Sequence, residues 1–380
     1  MGSTRGPLSG LKVIELAHVM AGPVCGLMLA DMGAEVIKVE KVPGGDDSRR
    51  SLPPDIGGES AAFLMVNRNK RGIAVNLKSE GGKAVLRRLV GSADALIENY
   101  RAGTMDRLGV GYDTLSKDNP GLIYCEISGF GRTGPYADRG GFDLIAQGMS
   151  GLMSITGEGP GRPPVKVGAP VTDITAGILA AMGVLAAVIE RQRTGRGQRV
   201  DTSLFEAGIV HTYWQSAIAF ATGVSPGPMG SAHPLNAPYQ AFETADGWIT
   251  VGAANQGNWL RLLEVLEAAL NAIFRIRGNA DWLERFEAAG FPAGPVQSIQ
   301  EMHADPQALA RRMVVDTEHS KLGPVKTLGL PVKFSETPGE VAVAAPVYGE
   351  HTRAVLAEHG FGEAEIDALI AEGAVIAAEC

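Results

Sequence analysis

The chain has little cysteine: three of 380 residues, Cys25, Cys125 and Cys380. They are odd in number, far apart and without a CxxC, which excludes a disulfide framework and a zinc site. No cationic excess is present either, since 34 Lys and Arg stand against 42 Asp and Glu, a formal net charge of -8. Nucleic acid and anionic membranes are bound through the opposite balance, so neither is expected as the main partner. The longest apolar run, Ala176–Ile189, falls short of the roughly 18 residues of a membrane helix and reads as a buried core helix. Met1-Gly-Ser-Thr-Arg-Gly-Pro7 carries no apolar stretch of the kind that marks a secretory signal, and a soluble, cytoplasmic protein is expected. There is no internal repeat, no HExxH and no GxSxG, so neither a zinc protease nor a hydrolase elbow is indicated. No bound metal is expected. His18, His211 and His233 each read as core or surface histidines when taken alone.

What is present is apolar and rich in glycine. Apolar residues make up 45% and charged residues 20%, enough to bury sizeable cores and too hydrophobic for disorder. The length suggests two or three domains. The 50 glycines are spread along the chain, which suits many tight turns and backbone-lined sites. Leu11–Leu16 reads as a strand, Pro23–Met32 as a helix and Glu35–Glu40 as a second strand. This is a β-α-β unit with parallel strands and a right-handed crossover. The alternation continues through strands at Ile73–Leu77, Ala95–Glu98 and Leu122–Ser128 and a helix at Gly81–Val90, so the fold class is α/β, doubly wound. A helix runs from Asp173 to Arg193, Thr194-Gly-Arg-Gly stops it, and Gln198–Ser203 is a further strand. Phe205–Thr222 reads as helix and Gly223–Pro238 as a linker and functional loop. A hairpin, Tyr239–Phe242 with Trp248–Ala253, then helices at Trp259–Arg275 and Trp282–Ala288 form a second unit. From Pro346 the chain is helical again and is expected to return to the first domain.

Gly129-Phe-Gly-Arg-Thr-Gly134 is a literal GxGxxG after a strand, but Pro135-Tyr136 follows where a helix would have to open. It therefore reads as a Gly-rich turn rather than a dinucleotide loop. The turn His18–Pro23 also lacks the glycine spacing for NAD, yet it places backbone N–H groups where α/β sheets bind ligands. Lys38, Lys41, Arg68, Lys70, Arg71 and Arg107 lie near expected strand ends. Singly they suit solvated surface; together they suit a nucleotide carrying phosphates. Asp173 precedes a wholly apolar helix. An N-cap and a carboxylate nucleophile are both open readings, and they are compatible, because a helix N-terminus favours the ionised carboxylate.

The segments LSGLKVIELAHVMAGPVCGLMLADMGAEVIKVEKVPGGDDSR, NRNKRGIAVNLK, IENYRAGTMDRLGVGYD, ISGFGRTGPYADRGGFD, APVTDITAGILAAMGVLAAVIERQRTGRGQRVD, AGFPAGPV and GEHTRAVLAEHG run in order over almost the whole chain. As a set they resemble the family III CoA-transferases, the group of formyl-CoA transferase and alpha-methylacyl-CoA racemase. The resemblance implies an interlocked homodimer. Each chain would have a Rossmann-like large CoA-binding domain (1–203 and 335–380), a linker and loop (204–238) and a smaller α+β domain (239–334). It implies Asp173 as nucleophile and coenzyme A, a substrate rather than a resident cofactor, held near His18, Val19, Met20, Ala21, Lys41, Val75, Asn99, Tyr100 and Arg107. Gly230-Ser-Ala-His233 is the nearest match to the loop that covers the nucleophile. Racemases place a catalytic His where this chain has Phe142, beside Asp143; without it the two-base chemistry of racemisation loses one partner, so transfer is favoured over racemisation or isomerisation. Met20 stands where formyl-CoA transferase has Gln, which argues against formyl or oxalate specificity. The stretches NRNKRGIAVNLK, YQAFETADGWITVGA and GSAHP look most like succinyl-CoA:dicarboxylate transferases, with Arg49 and Arg68 as candidates to pair a distal carboxylate. Between Leu266 and Ile273 the chain reads as shorter than these relatives by a piece the size of a helical hairpin.

Overall fold

The computed structural model describes residues 6–265, 274–333, 337 and 339–378. The chain divides into two compact units, Met1–Ser150 with Gly168–His211 and Ala310–Cys380, and Gly151–Val167 with Thr212–Leu309.

The larger unit is built on β1 (Lys12–Glu15), α1 (Ala21–Asp31), β2 (Glu35–Lys41), β3 (Lys70–Val75), α2 (Glu80–Gly91), β4 (Ala95–Glu98), α3 (Tyr112–Asp118), β5 (Ile123–Ser128), α4 (Asp143–Met149), α5 (Val171–Thr194), β6 (Arg199–Ser203) and α6 (Leu204–Val210). Its sheet runs β3-β2-β1-β4-β5-β6, all parallel, with Val375–Ile376 added antiparallel to the outer edge of β3. Side chains alternate across it as a strand period of two requires. Val13, Val36, Ile97, Ile123 and Cys125 pack with α1 and α5 on one face. Ile14, Ile37, Leu96 and Tyr124 pack on the other with α2, α3 and the helices Thr352–Glu358 and Glu363–Ala371. The expected α/β class, with a sheet dominated by parallel strands, is what forms.

Four details differ from the sequence reading. β3 begins earlier and ends at Val75, because Asn76 leaves the ladder to make a turn: its side chain accepts from the Lys78 N–H at 3.1 Å. The expected Phe205–Thr222 helix is two helices, broken where the His211 N–H closes back on the Gly208 carbonyl at 3.2 Å. Residues 310–334 belong to the larger unit: the hairpin Val314–His319/Gly323–Leu328 buries Val325 against Phe63, Leu64 and Ala345. Residues 151–167, in turn, belong to the smaller one. Among the described residues α5 is the one helix long and apolar enough to cross a membrane, and its Ala176, Ala180, Ala181, Val184 and Ala187 are buried in the core under the sheet.

The smaller unit holds α7 (Tyr213–Thr222), β7 (Tyr239–Glu243), β8 (Trp248–Gly252), α8 (Gln256–Val265), α9 (Asn279–Ala288) and β9 (Ala293–Pro295). Its antiparallel sheet, ordered β9-β8-β7, covers an aromatic core of Phe242, Phe274, Trp282, Phe286 and Phe291. The shortening read between Leu266 and Ile273 lies outside the described residues.

Candidate functional site

In an open α/β sheet, ligands bind beyond the carboxyl ends of the strands at the point where the strand order reverses. Here that point lies between β1 and β4, since the chain proceeds from β1 to β2 on one side and only later to β4 on the other. The turns after these two strands are joined. Asn99 accepts from the His18 N–H at 2.9 Å and donates to the His18 carbonyl at 2.8 Å, so its amide braces that turn. The His18 ring lies 5.6 Å from that of Tyr100. His18 Nδ1 is 3.2 Å from Asp47, which also takes Lys41 at 2.6 Å and Arg50 at 2.7 Å. The hydrogen bond from Lys41 holds the Asp47 carboxyl below its usual range. The turn is finished by Val19 in the left-handed region at φ 68.

Beside this turn opens a cavity of about 270 Å³ over the ends of β2, β3 and β4, lined by Val39, Lys41, Val75, Tyr100, Thr104 and Arg107 among others. Its walls are mainly apolar, with Lys41, Lys78 and Arg107 supplying positive charge. Burial pushes the Tyr100 phenol up to about 12, so it stays protonated at neutral pH. Of the six basic residues expected at strand ends, only Lys41 and Arg107 line this cavity.

The others are committed elsewhere, and two substrate assignments fall with them. Arg68 is buried and pairs with Asp31 at 2.6 Å. Arg49 makes a two-pronged bond to Glu40, 2.7 Å on each oxygen, and lies 3.7 Å over the Phe63 ring. Neither guanidinium is available to a substrate carboxylate. Arg71 pairs with Glu35 and Glu358, and Lys38 and Lys70 are wholly buried.

Asp173 sits inside the first turn of α5 and is not its cap; the helix starts at Val171 after Pro170. The N-cap reading is thus replaced by a different arrangement. Asp143, at the start of α4, accepts from the Thr172 N–H at 2.9 Å and the Thr172 hydroxyl at 2.7 Å. Gln147 holds its other oxygen at 2.7 Å. Burial, with a smaller contribution from the nearby Asp143 charge, pushes the Asp173 carboxyl up to about 7. One turn on, Gly177 lets α5 touch α1: a Cβ there would stand 2.6 Å from the Ala21 carbonyl oxygen. The glycine is what brings the first turn of α5 to the start of α1. Phe142, beside Asp143, is 77% exposed.

The Gly-rich stretch 129–134 is a turn, as expected, but it carries a residue the motif did not single out. Arg132 donates to Glu98 at 2.8 Å and to the Tyr100 carbonyl at 3.1 Å, and lies 3.1 Å from Glu126. Glu98, the last residue of β4, and Glu126, inside β5, face each other across the ladder at buried positions and need a cation. Even with Arg132 there, burial lifts Glu98 to about 7. Gly129 and Gly141 lie backbone to backbone, a Cβ on Gly129 meeting the Gly141 Cα at 2.7 Å. That contact splices the Arg132 turn to the extended segment leading into Phe142 and Asp143.

A family model described as CoA-transferase family III matches residues 8–269 and 264–352. The chain belongs to this family. As a family III CoA-transferase it is 41% identical to a succinate–glutarate CoA-transferase of Agrobacterium fabrum, over 94% of this chain and 97% of that one. It is 38% identical to a succinyl-CoA:mesaconate CoA-transferase of Haloarcula hispanica, over 94% and 97%. The crystal structure of a CAIB/BAIF family protein from Brucella suis superposes with a TM-score of 0.84 at 39% identity, covering 93% of this chain and 100% of that one. This CoA-transferase carries its two remaining candidates, Gly230 and His233, in the smaller unit. Gly230 has φ 61 and donates to the Gly157 carbonyl at 2.8 Å. His233 Nδ1 accepts from the N–H groups of Leu235 and Asn236, with the Trp214 ring 5.7 Å and the Tyr239 ring 5.2 Å from its own. Among the described residues no group of His, Cys, Asp or Glu is arranged to hold a metal ion.

Proposed function

We propose that this enzyme moves CoA from succinyl-CoA to a second carboxylic acid, in the first instance a dicarboxylic acid, with Asp173 as the covalent carrier. The donor and acceptor classes follow the names of the two relatives. The assignment of the nucleophile is supported by position: Asp173 is a part-buried carboxylate in the first turn of α5, which Gly177 lets approach the start of α1 beside the His18–Ala21 turn. CoA is assigned to the cavity beside Tyr100, its phosphates toward Lys41 and Arg107 and its thioester end passing the His18–Ala21 turn.

Asp173 attacks the thioester carbonyl of the donor, forming a mixed anhydride and releasing CoA thiolate. The thiolate attacks the Asp173 carbonyl, which frees succinate and leaves an Asp173–CoA thioester. The acceptor carboxylate attacks that thioester, giving a second anhydride and thiolate again. Thiolate attacks the acceptor carbonyl, and Asp173 departs as carboxylate. Each step exchanges one activated acyl group for another, so no external energy source is consumed. Water has to be kept from the anhydride and the thioester, which a part-buried carboxylate beside apolar helices favours.

The apolar side chains Ile178, Met182 and Ile189 stand exposed on α5, by 48%, 61% and 68%. We assign a second copy of the chain, interlocked with the first, to cover them; native mass spectrometry that finds only monomer at micromolar concentration overturns this part.

The test of the reaction is acyl exchange followed by mass spectrometry. Wild-type protein and Asp173→Ala are each incubated with succinyl-CoA and a panel of carboxylic acids. New acyl-CoA species with wild type and none with the variant are expected. Exchange that survives in Asp173→Ala overturns the covalent role. Deuterium entering the α-carbon of an acyl-CoA would instead indicate racemisation.

A further inference from the structure

Beneath the turn that follows β1 lies a group of charges that the proposed chemistry does not use. Glu15, Lys38, Asp46 and Lys70 are all buried. Lys38 Nζ lies 2.9 Å from Glu15 and 2.9 Å from Asp46 Oδ2, and donates to the Ala17 carbonyl at 2.9 Å. Lys70 Nζ lies 2.7 Å from Glu15 and donates to the Pro23 carbonyl at 2.8 Å and to Asn67 at 3.0 Å. Asp46 Oδ1 accepts from the Val19 N–H at 2.9 Å, the Ser48 N–H at 2.9 Å and the Ser48 hydroxyl at 2.8 Å. Gly26 is the residue that leaves space for the Glu15 carboxylate in α1. Burial disfavours the charge on Asp46, but Lys38 overrides it and holds the carboxyl far below its usual range.

Stability does not account for such a group. Apolar side chains of the same volume are often at least as stabilising as buried ion pairs, because each charge has to leave water. What sets this group apart is where it reaches. Lys38 holds the carbonyl just before His18 and Asp46 holds the N–H just after it, and the two are paired to each other. Between them the chain passes into Val19 at φ 68, a conformation that a β-branched residue seldom adopts without restraint.

We infer that the buried Lys38–Asp46 pair is a positioning device that fixes the Ala17–Ala21 turn in its CoA-binding shape before the ligand arrives, and so sets the affinity for CoA rather than the rate of acyl transfer. The inference rests on CoA occupying the site described above. A turn that is not held in advance has to be ordered on binding, and that cost appears in the dissociation constant.

The test compares wild type with Asp46→Asn and Asp46→Ala. Asn has one acceptor oxygen where donors converge on both oxygens of Asp46, so it keeps either the Val19 contact or the Lys38 contact. Free CoA binding is measured by calorimetry, kcat and KM with succinyl-CoA, and Val19 amide exchange by NMR or mass spectrometry. The Kd for CoA and the KM are expected to rise at least threefold in Asp46→Asn and at least tenfold in Asp46→Ala, with kcat changed less than threefold and the Val19 amide exchanging faster. Asp31→Asn, which breaks the equally buried pair with Arg68 away from the turn, is expected to lower the melting temperature and leave KM in place. A kcat that falls at constant KM, or a KM that rises as much in Asp31→Asn, reduces Asp46 to a structural residue and overturns the inference. If Asp46→Ala does not fold, Asp46→Asn decides alone. Wild-type protein that binds CoA while Asp46→Asn binds it equally well overturns the positioning role only; wild-type protein that binds no CoA overturns the site assignment and the inference together.

Discussion

At the scale of single residues the feature with most consequence is the carboxyl of Asp173. Its pKa is lifted from 3.8 to about 7, first by burial and then by Asp143. The folded protein therefore holds this proton more tightly than the unfolded chain does. The associated stability is fully present below pH 4 and is lost as the pH rises through 7. A shift of that size corresponds to about 4 kcal/mol, and solvent screening at a part-exposed site reduces it to about 1–2 kcal/mol. Asp173→Asn should thus melt higher than wild type at pH 8, with the difference vanishing toward pH 4, while losing at least about a thousandfold in turnover. Thermal scans across that range check the first half and exchange assays the second. Under the proposed mechanism the same carboxyl should impose a rising limb on kcat/KM with its midpoint near 7, because only an ionised carboxylate can attack. Asp143→Asn removes a like charge and should move that midpoint downward; a midpoint that stays put or rises means the Asp143 charge is not felt at Asp173.

At the scale of elements, α1 and α5 meet through small residues. A Cβ on Gly177 would stand 2.6 Å from the Ala21 carbonyl oxygen and 2.8 Å from Val24. Gly177→Ala should therefore separate the two helices, costing about 1–3 kcal/mol in chemical denaturation and lowering kcat by displacing Asp173 from the turn. The elements themselves were largely legible. Strands buried on both faces, such as Val13–Ile14 and Val36–Ile37, read as continuous apolar runs whatever surrounds them. What the sequence hid was pairing between distant charges. Arg49 and Arg68 look like solvated surface or carboxylate receptors until Glu40 and Asp31 are seen beside them. Arg132 looked like part of a glycine turn, and Asp143 held the helix terminus that Asp173 was expected to cap. A cap is a local signal, but the choice between two acids thirty positions apart is made by tertiary packing. The family resemblance supplied Asp173; the geometry supplied its environment.

At the scale of the whole molecule, the larger unit is assembled from three separated stretches of chain, and the smaller unit from two. The final stretch contributes Ala374 and Val375, both fully buried, and pairs Val375 with Val75 and Ile376 with Ala74. A chain lacking residues 374–380 should lose this edge and about 2–4 kcal/mol of stability, from two buried side chains and the ladder they close. Circular dichroism melts of the two chains measure the difference, and an unchanged midpoint would show that the edge strand carries no weight.

That edge strand also sets an order of events. β3 is made early, and the residues that cover its outer side come about 300 positions later. At a synthesis rate of roughly 5–20 residues per second, the outer edge of β3 waits roughly 15–60 s for its partner on the ribosome. The smaller unit can close during that interval, while the sheet to which we assign the CoA site presents unpaired backbone groups to every neighbouring nascent chain. A protein built this way depends on shielding of its first-made half, and its yield in cells should respond to chaperone supply more than the stability of the finished fold would suggest.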